Sequence, residues 1–178
     1  MLTLGFLFVL AVVQFSLWNW IGISFYHYAV SAGPFLEEAF KGGAVFLIFT
    51  TVLLSSPQLK KKLSSKQAWL LGGALVGLGI ALWEGFVEYS PGLHRVIPGL
   101  NHIFWTAIVG WGIWLSMRAN REWRLPSLVL PYGAAAISHI TWNYHAYLER
   151  VGEQELTFGI ISWVITLTTL FVIWRFSK

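Results

Sequence analysis

Cysteine and aspartate are both absent from the 178 residues, and each absence closes a class of chemistry. Without cysteine there is neither a disulfide scaffold nor a thiol nucleophile. Without aspartate there is no aspartyl pair, and all eight acids are glutamates. Gly-x-Ser-x-Gly and His-Glu-x-x-His are missing too, which removes the common serine and zincin motifs. Charge is scarce, at 11% of residues, where a soluble domain carries about 25%. What fills the chain is apolar: 56% hydrophobic residues and a mean hydropathy of +0.63. That excess excludes disorder. The net charge of +4 is concentrated, with Lys60, Lys61, Lys62 and Lys66 in one short loop between apolar runs. Such a cluster orients a membrane protein and is not a nucleic-acid footprint. The first partner to expect is the lipid bilayer, and no nucleic acid is expected.

A membrane span needs about 20 predominantly apolar residues. Runs of that kind predict an all-α integral membrane protein, a bundle of about six helices near 2–22, 34–54, 68–89, 100–117, 127–147 and 157–175. Pro34 and Pro126 fall in first turns, where a missing N–H costs nothing. Ser55-Ser56-Pro57 and Ser90-Pro91-Gly92 close the second and third runs. No repeat or linker interrupts the chain, so residues 1–178 read as one domain. The segment before Ala32 could also be a cleaved signal peptide. Its lack of a basic start and its length favour a span.

Basic residues fall in alternate loops. Lys60 to Lys66 follow the second run, Arg118, Arg121 and Arg124 the fourth, and Arg175 and Lys178 the sixth. Positive loops mark the cytoplasmic side, so a multi-pass protein of the cell membrane with both termini in the cytoplasm is expected. Ionisable residues within spans are functional candidates by default. Here they are Glu37, Glu38 and Lys41, then Glu84 and Glu88, then His102 and His139. At 1.5 Å per residue, Glu37 and Glu38 lie about 5–7 Å below the outer end of their helix, and His139 roughly 13 Å deep. Asn143 is one turn nearer the surface. Four helices thus aim polar groups at the outer leaflet.

Each group has a structural explanation when taken alone. Glu37 and Glu38 suit a first helical turn, Lys41 pairs with Glu37 at i+4, and a lone histidine or Asn143 would glue helices. The eleven tryptophans read as interfacial belt and packing. Their convergence at one depth is what these explanations miss. With the common nucleophiles gone, activation of water remains. A carboxylate in a low-dielectric site can act as a general base near neutral pH. His139 and Asn143, at i and i+4, share a helix face and could donate to a developing oxyanion. Amide hydrolysis inside the membrane fits this inventory.

The motifs resemble those of the PrsW intramembrane proteases. Glu37-Glu38-Ala39-Phe40-Lys41 is similar to that family's Glu-Glu-x-x-Lys motif. Gly77 through Trp83-Glu84-Gly85 to Tyr89 resembles its glycine-rich helix ending in glutamate. His94-Arg95, then His102-Ile-Phe-Trp-Thr106 and Gly110, resembles its Arg and His-x-x-x-Thr-x-x-x-Gly segment. His139 with Trp142-Asn143 is similar to its last motif. The resemblance implies a polytopic protease related to the CAAX-processing and bacteriocin-immunity group. It further implies a single-span membrane protein substrate of the anti-sigma-factor kind, cut near the extracytoplasmic face. On this reading Glu37 or Glu38 activates water, His102 orients or shares the proton, Glu84 supports, and His139 with Asn143 stabilises the oxyanion.

Two other readings stay open. Zinc could be held by ligands drawn from Glu38, Glu84, His102 and His139, leaving one position for water. No short ligand spacing decides between metal and metal-free glutamate chemistry, and resemblance to the CAAX-processing relatives favours the metal-free form, with no cofactor. Buried glutamates and histidines also build the proton relays of transporters, or the site of a non-catalytic binding protein. Against these, no second polar cluster lies on the inner side and no repeat is visible.

Overall fold

The apolar runs form helices, and local chemistry sets where each begins. The computed structural model describes residues 32–55, 57–58, 61, 64–88, 96–153 and 156–175. Helix α1 is Ala32–Ser55, α2 is Lys66–Trp83, α3 is Val96–Arg118, α4 is Arg124–Arg150 and α5 is Thr157–Arg175. The expected first span, 2–22, lies outside the described residues. Helix α2 starts at Lys66 because Ser65 caps it, its Oγ accepting from Ala68 N at 3.2 Å. Such a cap satisfies one of the orphan amides of the first turn. Helix α3 begins a turn earlier than its apolar run because Pro98 is tolerated within a first turn. Gly152, at φ 90°, ends α4, and Glu153 N then donates back to Leu148 O at 3.0 Å. Only a residue free of Cβ crowding takes that left-handed turn readily.

One expectation needs correction. The third run does not remain α-helical to residue 89: after Trp83 the chain widens into a π turn over Glu84–Glu88. A π turn admits one extra residue into the ladder and is common at functional sites. Among the described residues, three helices are long and apolar enough to cross a membrane, namely 66–86, Val96–Arg118 and Thr157–Arg175. That supports the membrane-helical class.

Two pairs of helices are fused by different devices. Helices α2 and α3 run antiparallel, and three glycines bring their backbones together. A Cβ on Gly73 would overlap Thr106 O, one on Gly77 would overlap His102 O, and one on Gly110 would strike Trp69 O. Small residues at four-residue spacing allow this approach when lipid supplies no hydrophobic drive between helices. Helices α4 and α5 are joined by hydroxyls. Ser138 Oγ donates to Ser162 O at 2.7 Å, and Ser162 Oγ returns a bond to Ser138 O at 2.8 Å. Across the middle, Gly112 of α3 receives the ring of Pro131 of α4. Helix α1 crosses this assembly, burying Glu38, Lys41, Val45 and Phe49. At the basic end of the bundle, Ser64 O accepts from both Trp114 Nε1 at 3.0 Å and Arg118 Nη2 at 2.8 Å.

Candidate functional site

At the opposite end, where α1 starts, α2 finishes and α3 starts, six ionisable side chains meet from four segments. Glu38 and Lys41 are buried on α1, His102 on α3 and His139 on α4. Glu37 and the π-turn residue Glu84 keep 27% and 22% of their side chains exposed. They are the members that face outward.

Chemistry dictates which ring nitrogen carries each proton. His102 Nδ1 lies 2.7 Å from Lys41 Nζ, and an ammonium only donates, so Nδ1 is the acceptor. His102 Nε2 lies 2.8 Å from Glu84 Oε2, so Nε2–H donates to that carboxylate. His139 Nδ1 lies 3.0 Å from Glu38 Oε1 and by the same logic donates to it. Its Nε2 lies 3.8 Å from Glu37 Oε2 and is an acceptor in the neutral ring. His102 Nδ1 is likewise 3.5 Å from Glu37 Oε1. Each histidine thus rests one nitrogen on a carboxylate and turns the other towards Glu37.

Lys41 binds the acids together, with Nζ 2.6 Å from Glu37 Oε1 and 2.8 Å from Glu38 Oε1. Glu38 Oε2 is buried with no hydrogen-bond partner among the described residues. Counted formally, three carboxylates against one ammonium leave two negative charges in a mostly buried cluster. Buried charge is costly unless it is paired.

Packing holds the rings. Trp105 stacks on His139, with centroids 4.4 Å apart and planes at 22°, and meets His102 edge-on at 5.5 Å. Its indole N–H points to Ser138 Oγ at 3.0 Å and Thr166 Oγ1 at 3.1 Å. One tryptophan therefore ties both histidines to the hydroxyl seam of α4 and α5. On the other side, the Gly77 contact with the His102 carbonyl fixes the height of His102 against α2.

Of the residues singled out from sequence, Glu37, Glu38, Glu84, His102 and His139 come together here. Asn143 lies one turn along α4 from His139 and is half-buried. Among the described residues, the side chains that could hold a metal ion are Glu37, His102 and His139, one donor atom of each lying within 4.8 Å of the others. The carboxylate in that set is Glu37, whereas the sequence pointed to Glu38 and Glu84. Those two instead take the outer nitrogens of the rings. Two features escaped sequence reasoning. Lys41 is central and not merely an intrahelical partner of Glu37. Trp105 is a support of the site, hidden among eleven tryptophans, its only signal being its place three residues after His102.

The sequence model of the family described as PrsW family intramembrane metalloprotease matches residues 1–173. No curated protein and no solved structure matches the chain. Glu37, Glu38, Lys41, Glu84, His102 and His139, among the residues that carry the resemblance to this family, meet at the cluster, on a scaffold of apolar helices able to cross a membrane. The chain belongs to the PrsW family of intramembrane metalloproteases.

Proposed function

We propose that the protein is a metal-dependent intramembrane endopeptidase whose centre is Glu37, His102 and His139. The observation that carries this is the pair of acceptor nitrogens, His102 Nδ1 and His139 Nε2, both turned on Glu37 while Glu84 and Glu38 hold their far sides. Two acceptors facing a carboxylate suit a cation between them, a place that the Lys41 ammonium takes on the His102 side. Donors about 2.1 Å from a tetrahedral zinc are about 3.4 Å apart; here one donor atom from each of the three residues lies within 4.8 Å of the others, so a modest contraction would close the set on an ion. The two formal negative charges equal those of one divalent cation. Carboxylate-supported histidines are the usual outer arrangement around such an ion.

A divalent ion held there supplies Lewis acidity towards water and the scissile carbonyl. The chain's own groups do the rest. Glu38 Oε1 keeps the proton of His139 on Nδ1, and Glu84 Oε2 keeps that of His102 on Nε2. Glu84, partly exposed, is the carboxylate from which a proton reaches the leaving amine. Asn143, on the His139 face of α4, donates to the oxyanion. The substrate is a single-span membrane protein that meets the site on the side of Glu37 and Glu84. Its helix must unwind locally, because an intact helix shields its peptide bonds. With the basic loops in the cytoplasm, the cut falls in the extracytoplasmic half of the bilayer.

Lys41 gives a second reading its footing: an ammonium bridging Glu37, Glu38 and His102 neutralises part of the charge without metal. In that reading Glu37, the more exposed of the adjacent pair, is the base. Metal analysis and chelation of purified protein separate the two. One zinc per chain, lost together with cleavage on chelation and in His139→Ala, is expected. Full cleavage by metal-free protein would overturn the metal reading.

A further inference from the structure

The contact between Lys41 and His102 has a consequence for how the site takes its metal. The imidazole Nδ1 offers a single in-plane lone pair. Lys41 Nζ, 2.7 Å away, uses it, and coordination would use the same pair. We infer that the Lys41 ammonium and a divalent cation are alternative partners of His102 Nδ1, so that Lys41 is a displaceable stopper that sets the metal affinity of the site. The inference rests on the metal reading above and deepens it.

The exchange is confined to one bond. Lys41 also forms an ion pair with Glu37 Oε1 at 2.6 Å and donates to Glu38 Oε1 at 2.8 Å. Neither contact competes with metal. Glu37 keeps its second oxygen, Oε2, on the His139 side, and Glu38 is not among the facing donors. The ammonium can therefore give up His102 and remain held by two carboxylates. Its four-carbon stem is flexible and its charge is a compact point, so the movement needs no change in α1. The two carboxylates lie three and four residues before Lys41 on the same helix and travel with it. The arrangement has a second effect. While Lys41 holds His102 Nδ1, the ring is already turned towards Glu37, so the ligand is oriented before the cation arrives. The cost is one charge-assisted hydrogen bond, which the incoming cation must replace.

Equilibrium dialysis against zinc, read by metal analysis, tests this on the full chain in detergent. The proteins are the parent, Lys41→Met, the charge-balanced pair Glu38→Gln with Lys41→Met, and His139→Ala. In the pair, the glutamine carbonyl still accepts from His139 Nδ1–H, so that ring keeps its orientation. It also removes one charge of each sign, which protects folding. Losing a hydrogen bond to a charged group should tighten zinc about tenfold to a hundredfold in both Lys41 variants. Unchanged or weaker zinc binding in both would overturn the inference. A gain confined to Lys41→Met would overturn it too, by assigning the effect to net charge. If Lys41→Met alone does not fold, the charge-balanced pair decides by its own dissociation constant against the parent. Zinc bound by the parent and lost in His139→Ala, with no gain on removing Lys41, leaves the metal reading standing and sinks the stopper alone. No zinc in any protein sinks both.

Discussion

Replacing Gly77 by alanine should damage the site without touching any of its side chains. An added Cβ would overlap the His102 carbonyl and stand 2.8 Å from Ile103 Cα. Both are backbone on a packed helix, so no rotamer relieves the clash. Bringing the Ile103 contact to an ordinary 3.4 Å requires α3 to retreat by about 0.6 Å, carrying His102 away from Glu84 on the π turn. A misplacement of about 1 Å near a reacting centre can cost about a hundredfold, so a loss on the order of tenfold in turnover is expected. Overpacking of this kind also destabilises by about 1–3 kcal/mol. Gly79 is the internal control: it lies on the same helix, and a Cβ there meets nothing within 4 Å. Turnover of a single-span reporter labelled on both sides of its membrane segment, together with thermal denaturation in detergent, reads both variants. Gly79→Ala should match the parent. Equal turnover and melting temperature for Gly77→Ala and Gly79→Ala would refute the reasoning, because the close approach of α2 and α3 would then not govern His102.

Three further outcomes follow from other parts of the site. Glu38→Ala removes the acceptor of His139 Nδ1–H, and loss of such an outer partner should weaken zinc by about tenfold to a hundredfold in dialysis. Trp105→Phe keeps a ring over His139 but leaves Ser138 and Thr166 without the indole donor, which should lower stability by about 1–2 kcal/mol in denaturant titration; an unchanged midpoint would show the anchor to be idle. With no native cysteine, a cysteine at Ser64 should label only from the cytoplasmic side and one at Glu153 only from outside, and the reverse pattern would invert the proposed cut side.

Much of the site could be read from the chain because depth in a membrane is nearly a linear function of residue number. Counting at 1.5 Å per residue from loops of known charge was enough to put Glu37, Glu38, Glu84, His102 and His139 on one level. Rotation about each helix is not linear in that way. Glu37 and Glu38 point about 100° apart, and only the fold decides that Glu38 turns inward to His139 while Glu37 faces the opening. The same holds for Lys41. Its spacing to Glu37 and Glu38 is visible in sequence, but its contact with His102 spans 61 positions. Metal and metal-free chemistry could not be told apart in the sequence, because the tautomers of His102 and His139 depend on partners from other helices. The π turn at Glu84 was missed since its apolar pattern continues that of α2 without a break. Trp105 was lost in a crowd: ten other tryptophans suit an interfacial belt, and nothing local marks the one that lies under a histidine.

The two fused pairs described above carry one histidine each, His102 on the glycine-locked pair and His139 on the hydroxyl-locked pair. No single helix or hairpin therefore owns the site; its dimensions depend on how the two pairs meet at the α3–α4 seam, where Trp105 stacks on His139 and Gly112 receives Pro131. A change in the bilayer should be felt at that seam. A membrane thicker or thinner than the apolar length of these helices is accommodated by tilt, at a fraction of a kcal/mol per Å, and unequal tilt of the pairs changes the distance from His102 to His139. The host lipid becomes an adjustable part of the enzyme: acyl-chain length should tune both zinc affinity and turnover in reconstituted vesicles, with an optimum where the two pairs stand parallel.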